Sequence, residues 1–303
     1  MGTPEFAVAS LDALWRAGFE IVAVVTAPDR PAGRGLQPQM SAVKKYALAH
    51  QLPVLQPEKL KDPGFITRLN DLRADLQVVV AFRMLPEVVW NMPPMGSVNL
   101  HGSLLPQYRG AAPINWAVIN GEKITGVTTF LLKHEIDTGD ILLQESMPID
   151  PEDTAGSVHD RMTELGAALL VKTVRGLAEG TLKERPQSEL YNPEDFRALH
   201  HAPKIDSETC RIKWEAPAAA INNLIRGLAP YPGAFTVLGE KKVKIFRAKA
   251  EIEVHTHPAG SVLTDHKTYL KFACSDGYIS LLDLQMEGKK PMVVGDFLRG
   301  WRN

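Results

Sequence analysis

The sequence predicts an α/β domain with a mostly parallel sheet, followed by a smaller β-barrel domain. Helical and strand-like segments alternate between residues 5 and 82, which is typical of a sheet covered by helices on both faces. Residues 76–82 form a continuous apolar run, as expected for a fully buried strand. Residues 234–285 instead contain short strand-like runs separated by turns, which favours a small barrel. Ligand sites are therefore expected at the carboxyl ends of the parallel strands.

The first half of the chain supplies the elements of the α/β domain. Thr3, Pro4 and Glu5 predict a helix start with Thr3 as its N-cap. Further helices are predicted over residues 43–50 and 62–72, and strands over residues 21–26, 52–56, 97–101 and 126–132 and from residue 141 onward. The stretch 27–41 is rich in Pro, Gly and Arg and predicts a long loop, which is either functional or an irregular surface segment.

The second half of the sequence contains a predicted boundary between two domains. A helix is predicted to start at Asp153, Thr154 or Ser157 and to end before Gly180. Residues 181–205 are mixed, charged and Pro-containing, which suits a connection between domains. The predicted organisation is a first domain over residues 1–180, a linker over 181–205 and a second domain over 206–303, in which a helix over 217–228 precedes the barrel strands.

Composition and charge exclude several classes of protein. The 303-residue chain is 45% hydrophobic and 23% charged, as in ordinary globular proteins. No segment has the pattern of a signal peptide or the length of a membrane span, so a cytoplasmic protein without membrane association is expected. Cys210 and Cys274 lack metal-ligand spacing and are expected to be free thiols. Gly33 and Gly35 lack a strand-turn-helix setting, which argues against nicotinamide and nucleoside-triphosphate cofactors.

Charge is distributed unevenly along the chain. Residues 206–303 contain 14 Lys and Arg against 11 Asp and Glu, although the whole chain has a net charge of -1. A mildly basic C-terminal domain permits a polyanionic partner. A mildly basic charge is also common in domains that have no polyanionic partner.

The strand at residues 97–101 carries the first candidate site residues. Alternation along the strand places Asn99 and His101 on one face and Val98 and Leu100 on the other. An amide that can donate to an oxygen, beside an imidazole that can move a proton, suits acyl transfer. The alternative is a strand end where both side chains only satisfy nearby backbone groups.

Asp137 is the third candidate. It lies in a polar loop between two predicted strands, before a Thr-Gly-Asp turn. A carboxylate in this loop could orient His101 and stabilise its protonated form. Asp137 could equally be an Asx-turn residue, and its spacing from His101 does not decide between the two.

Residues 99–114 and 136–141 are similar to the signatures of the folate-dependent formyltransferases. Residues 2–6, 28–35 and 288–292 extend the resemblance over nearly the whole chain. It implies a formyltransferase-type, Rossmann-like domain followed by an OB-like barrel. It also implies transfer of a formyl group from 10-formyltetrahydrofolate to the amino group of methionine on initiator tRNA, with Asn99, His101 and Asp137 as catalytic residues and no metal.

The resemblance also implies binding residues for both substrates. Four residues of the turn after His101 would shape the folate site, together with two at the end of strand 76–82: Ser103, Leu104, Leu105, Pro106, Phe82 and Met84. The family often has Tyr-Gly where this chain has Phe82-Arg83, so the folate contacts at this turn are expected mostly through the backbone. The alternative for Arg83 is a solvated surface charge.

For initiator methionyl-tRNA, the resemblance implicates Arg30 and Arg34 in the 27–41 loop and Lys204 in the linker. The family commonly has lysines where this chain has residues 36–39, and the loop departs from the pattern there. Further barrel cations are weaker candidates for phosphate contacts: Lys241, Lys242, Lys244, Arg247, Lys289 and Lys290.

We expect the protein to be a monomer.

The resemblance further suggests that an apolar strand should precede Gly2. We hypothesise that translation was assigned to an internal Met; mass spectrometry of the protein made from its native gene would contradict this if the mature chain began at Met1 or Gly2. Two other functions remain open from the sequence. One is a formyltransferase of the same fold acting on a nucleotide-linked amino sugar, and the other is a non-catalytic RNA-binding protein that retains a folate-like cleft.

Overall fold

The computed structural model describes residues 1–32, 37–190 and 199–301. Eight α-helices lie within them: α1 (Glu5–Arg16), α2 (Ala42–Ala49), α3 (Pro63–Asp71), α4 (Glu87–Trp90), α5 (Pro113–Ile119), α6 (Ala155–Ala178), α7 (Ala218–Leu228) and α8 (Val294–Gly300). The first nine strands are β1 (Val24–Val25), β2 (Arg30–Ala32), β3 (Gln37–Gln39), β4 (Val54–Leu55), β5 (Gln77–Val80), β6 (Ser97–His101), β7 (Arg109–Gly110), β8 (Ile124–Leu131) and β9 (Ile141–Pro148). The others are β10 (His201–Ala202), β11 (Ala234–Leu238), β12 (Lys241–Ile252), β13 (Val262–Thr264), β14 (Leu270–Cys274), β15 (Gly277–Met286) and β16 (Met292–Val293).

The chain forms two compact units. The first consists of Met1–Arg109, Gly126–Met147 and Arg161–His200. The second consists of Gly110–Thr125, Pro148–Asp160 and His201–Asn303. Both units are therefore assembled from segments that are distant in the sequence.

The first unit is an α/β structure, as predicted. Its main sheet has the order β5-β6-β8-β9, in which β5 and β6 are parallel and β6 and β8 are antiparallel. A second parallel pair joins β1 to β4. Helix α6 covers this sheet, since Gly166 approaches Leu100 and Thr173 forms a 2.8 Å hydrogen bond with Thr129.

The predicted strand over residues 21–26 is realised only at Val24 and Val25. Next to it, Gly2 donates a hydrogen bond to Val25 O, and Met1 O accepts one from Val80 N. The buried Met1 amine donates to Val78 O at 2.6 Å, and burial lowers its pKa to about 5. An apolar cavity of about 140 Å³ lies beside Met1 and Gly2 and is lined in part by Val24. β1 is thus paired with β4 and hydrogen-bonded to Gly2.

Two other expectations in this region need correction. Thr3 is not the N-cap of the first helix, because α1 begins at Glu5 and the cap position is held by Pro4, which forms no side-chain cap. The predicted loop 27–41 contains an antiparallel pair, β2 and β3, in which Arg30 is opposite Gln39. Backbone pairing thus gives the base of this segment a defined shape.

Several helices follow their end signals. Ser41 caps α2 by accepting from Lys44 N, and Asp62 caps α3 by accepting from Phe65 N. Thr154 accepts from Ser157 N at the start of α6. The short helices α4, α5 and α8 have no counterpart in the prediction.

The second unit is built on an antiparallel sheet in the order β11-β12-β15-β14-β13, with β16 pairing with β15. Its core includes Ile221 and Ile225 of α7, as well as Trp214, whose ring stacks on Phe272 at 4.4 Å. The strand-like runs predicted within residues 234–285 and the helix predicted over residues 217–228 are confirmed in type.

Both cysteines are free, as predicted. Both are also buried, and burial raises the pKa of each thiol. Within the described residues, no helix has the length and apolar character needed to cross a membrane.

Candidate active site

Strand β6 places Asn99 and His101 on the same face at the carboxyl end of the first unit's sheet. Asn99 lies opposite Val79 of β5 and Phe130 of β8, and His101 lies opposite Thr128 of β8. A strand paired on both sides cannot slip by one residue without breaking two ladders. The predicted side-by-side placement of the amide and the imidazole is therefore confirmed.

His101 is held in one tautomer by the backbone. Its ring is buried, and Nε2 lies 2.9 Å from the carbonyl oxygen of Tyr108. A carbonyl can only accept, so Nε2 carries a hydrogen and donates it. In the neutral ring, Nδ1 then carries the lone pair, which makes Nδ1 the nitrogen that is suited to exchange a proton.

Asp137 faces that nitrogen. Its Oδ2 lies 3.7 Å from Nδ1 of His101, and both side chains are largely buried. This distance is too long for a close hydrogen bond, and it becomes a charge contact when the ring is protonated. The structure thus brings the two residues together in the arrangement that the orienting hypothesis requires.

The loop that carries Asp137 has an unusual backbone. Asp137 has a φ of 56°, in the left-handed region that non-glycine residues rarely adopt. Two residues later, Gly139 packs so closely on Leu131 O that a β-carbon would lie 1.6 Å from that oxygen. Only glycine fits there, which fixes the path of the loop behind the carboxylate.

The turn after His101 is organised by a buried threonine, Thr128, which no sequence motif singles out. The Thr128 hydroxyl donates to Ser103 O at 2.7 Å and accepts from Leu105 N and from Gln144 Nε2. Gln144 also donates to Leu105 O at 2.9 Å. Thr128 thus uses all three of its hydrogen-bonding positions on this turn.

The turn's own side chains are mostly turned inward. Ser103, Leu105 and Pro106 are buried, and Leu105 packs against Phe130. Leu104 is only half-buried. The surface that this turn offers to a ligand therefore consists of backbone groups and Leu104.

The end of β5 decides against the alternative of a solvated charge for Arg83. Met84 is exposed and Phe82 is half-buried, but Arg83 is not a solvated charge. Its guanidinium donates to the carbonyl oxygens of Pro57 and Glu58 and lies over the Phe82 ring. Burial lowers the pKa of Arg83. Arg83 thereby ties the turn after β5 to the segment that follows β4.

The residues assigned to RNA lie on the surface or outside the described ranges. Arg30 is exposed on β2, and the neighbouring Asp29 accepts from Lys44 at 2.6 Å, which lowers the pKa of that carboxyl. Lys204 is exposed in the second unit. Arg34 lies outside the described residues.

Metal ligands do not gather at this site. Across residues 1–32, 37–190 and 199–301, no group of three or more His, Cys, Asp and Glu side chains is placed to hold a metal ion. The site's chemistry consists of an amide donor, an imidazole and a carboxylate.

Two family models match the chain in tandem. One is described as formyl transferase and matches residues 1–174, and the other is described as formyl transferase, C-terminal domain, and matches residues 204–302. Curated proteins named methionyl-tRNA formyltransferase align with almost all of it. The protein from Bacteroides fragilis is 53% identical over 99% of this chain and 94% of its own length. The one from Parabacteroides distasonis is 54% identical over 100% of this chain and 94% of its own.

Solved structures share the fold at lower identity. An N-formyltransferase from Helicobacter canadensis, in complex with folinic acid and dTDP-3-aminofucose, superposes with a TM-score of 0.66 and 20% identity, covering 92% of this chain and 96% of that one. HypX from Aquifex aeolicus, in complex with tetrahydrofolic acid, has a TM-score of 0.59 and 21% identity, covering 84% of this chain and 46% of that one.

Proposed function

Because this chain belongs to the formyl transferase family, we propose that it transfers the formyl group of 10-formyltetrahydrofolate to the α-amino group of methionine on initiator tRNA, for translation initiation. The observation that carries this proposal is the contact between His101 and Asp137 beside Asn99, at the carboxyl end of β6. The acceptor follows from the relatives named methionyl-tRNA formyltransferase, which align with nearly the whole chain.

Asn99 would stabilise negative charge on the formyl oxygen. When the neutral amine attacks the formyl carbon, the C=O bond opens and its oxygen becomes an oxyanion. The Asn99 side chain is only half-buried and has no hydrogen bond to any residue that the structure describes. Its NH₂ group is therefore available to donate to that oxygen, a contact worth about 3 kcal/mol in oxyanion sites.

His101 would move the proton that the reaction displaces. The attacking nitrogen must lose a proton, and N10 of the folate must gain one as its bond to the formyl carbon breaks. Nδ1 of His101 accepts the first and supplies the second, because Nε2 stays bonded to Tyr108 O. The Asp137 carboxylate, 3.7 Å away, stabilises the imidazolium that exists between the two transfers.

The residues present suit a folate co-substrate that supplies the formyl group from N10. The turn held by Thr128 offers backbone groups and Leu104, and Met84 adds an exposed apolar side chain at the end of β5. Flat heteroaromatic ligands are commonly bound by such a combination of backbone donors, backbone acceptors and apolar contacts. Ser103, Leu105, Pro106 and Phe82 would shape this region from within.

We further propose that residues 1–180 act as the catalytic domain and that residues 206–303, joined by the linker 181–205, form an OB-like domain that binds the tRNA. The antiparallel sheet of the second unit and its excess of Lys and Arg support this assignment. Arg30, Arg34 and Lys204 would contact the RNA. A role in translation initiation implies a cytoplasmic protein. The monomeric state stays a prediction, which light scattering would check.

The decisive experiment is a formylation assay with 10-formyltetrahydrofolate and two acceptors, methionyl initiator tRNA and a nucleotide-linked amino sugar. Wild type is expected to formylate only the tRNA, and His101→Ala to lose at least 100-fold in turnover. Transfer to the sugar alone would establish the other formyltransferase function. Binding of tRNA without any formyl transfer would favour the non-catalytic reading.

A further inference from the structure

Gln187 lies directly behind the loop that carries Asp137, although the two residues are 50 positions apart in the sequence. It begins a single turn of 3₁₀ helix, Gln187–Glu189, and is 4% exposed. Just before it, Arg185 and Ile141 exchange two backbone hydrogen bonds of 2.8 and 2.9 Å. This pairing places residue 187 against the segment that precedes β9.

The amide of Gln187 is fully used in this position. Its Nε2 donates to the carbonyl oxygens of Asp137 and Gly139, both at 2.9 Å. Its Oε1 accepts from Nε and Nη2 of Arg109, at 3.1 and 2.5 Å. The orientation of the amide is unambiguous, because carbonyl oxygens only accept and a guanidinium only donates.

These contacts compensate a backbone that is costly on its own. The left-handed φ of Asp137 costs on the order of 1 kcal/mol. The Gln187 amide satisfies two carbonyl groups of that loop, at Asp137 and Gly139. With those carbonyls drawn toward Gln187, the bond from Cα to Cβ of Asp137 is fixed in direction. This direction places the Asp137 carboxylate beside His101.

Two adjacent residues control both partners of the catalytic pair. The carbonyl of Tyr108 holds Nε2 of His101, and the side chain of the next residue, Arg109, holds the amide of Gln187. Any shift of this dipeptide therefore moves the imidazole and the loop of Asp137 together. The 3.7 Å separation between Nδ1 and Oδ2 is thus set from one short stretch of chain.

We propose that Gln187, oriented by Arg109, is a positioning residue that fixes the Asp137 carboxylate against His101 for formyl transfer. This role for Gln187 rests on the proposed function, because its effect on turnover is measured in the formyl-transfer reaction. A displacement of about 1 Å at a reacting group typically costs about 100-fold in rate. Gln187 touches no reacting atom, so its effect should pass entirely through Asp137.

The test is a double-mutant cycle between Gln187→Leu and Asp137→Ala, with kcat and KM measured for both substrates. Gln187→Leu is expected to lower kcat 10- to 100-fold and to change each KM less than 3-fold. In the Asp137→Ala background, the same substitution should change kcat less than 2-fold, because the group it positions is gone. Losses that multiply in the double mutant would overturn the proposal.

Two further variants separate positioning from general destabilisation. Gln187→Glu keeps an acceptor for Arg109 but cannot donate to the two loop carbonyls, so it should lose kcat as Gln187→Leu does. Gln77→Leu is the matched control, because Gln77 is another buried glutamine, and its Oε1 accepts from Ser97 at the far end of β6. It should lower the melting temperature without lowering kcat.

Hydrogen exchange gives a readout that does not depend on the reaction. In Gln187→Leu, amides of residues 133–140 should exchange at least 10-fold faster, with the rest of the first unit unchanged. Unchanged exchange would overturn the positioning role even in an enzyme that formylates tRNA. If Gln187→Leu shows the faster exchange but the wild-type protein formylates neither acceptor, the proposed function is refuted and the contact between Gln187 and the loop is still established.

Discussion

Strands β1 and β6 belong to the same unit but differ in sequence and in neighbours: β1 lies in an apolar run, whereas β6 alternates polar and apolar side chains. β6 has five residues and is paired with β5 on one side and β8 on the other. β1 has two residues and pairs with β4, and Gly2 donates a hydrogen bond to Val25 O beside it. The extent of a strand therefore follows the backbone available on both sides more closely than its own apolar pattern.

The two strands also differ in what their ends can do. The carboxyl end of β6 presents Asn99 and His101, whose backbone is fixed by ladders on both sides. The cavity of about 140 Å³ lies along β1, so the side chains there have room to relax. A small displacement of a catalytic side chain lowers the rate strongly, so the firmly paired β6 suits Asn99 and His101.

The largest effect expected from β6 is on turnover. Asn99→Ala and Asn99→Asp should each lower kcat by 10²- to 10³-fold, because neither side chain can donate to the oxyanion. Steady-state kinetics with methionyl initiator tRNA would measure the loss. The thermal midpoint of Asn99→Ala should change little, because the amide makes no hydrogen bond within the described part of the chain.

Asn91→Asp supplies the charge control for this experiment, since Asn91 is exposed at the end of α4. It introduces the same carboxylate on the same unit and should retain wild-type kcat. Near wild-type turnover in Asn99→Ala would remove Asn99 from the mechanism.

Sequence alone could place Asn99 and His101 because strand alternation is a local property. It also predicted the α/β class, the strands of the C-terminal region and the helices over residues 43–50 and 62–72, which the structure shows as α2 and α3. These features need no knowledge of distant partners.

The rest could not be read locally. The spacing of Asp137 left two roles open, because its direction depends on Gln187 and on a close approach of Gly139 to Leu131. Arg83 resembled a solvated charge until the carbonyls of a separate segment were seen to accept from it. Thr128 has no motif, and its importance arises from three groups that reach it across the sheet turn.

An intermediate effect is expected at Thr128, which supports the turn beside β6. Thr128→Val keeps the shape but leaves Ser103 O, Leu105 N and Gln144 Nε2 without their shared partner. Unfolding free energy should fall by about 2 kcal/mol. The KM for the formyl-folate should rise roughly 10-fold, or about 1.4 kcal/mol of lost binding.

Thr129→Val is the matched control for that change. Thr129 is buried on the opposite face of β8, where its hydroxyl meets Thr173 and Leu143. It should be destabilised to a similar degree in a urea titration without any rise in the KM for the formyl-folate. Equal KM values in both variants would show that the turn does not contribute to folate binding.

The smallest effect compares β1 with β6 directly. Val98 of β6 is fully buried, and Val24 of β1 is 4% exposed beside the cavity. Val98→Ala should lower the unfolding free energy by about 2 kcal/mol, since close-packed neighbours cannot collapse into the space that is left. Val24→Ala should cost about 1 kcal/mol less, because the lining of an existing cavity can relax. Urea titrations of the two variants would measure the difference, and equal losses would mean that β1 is as tightly packed as β6.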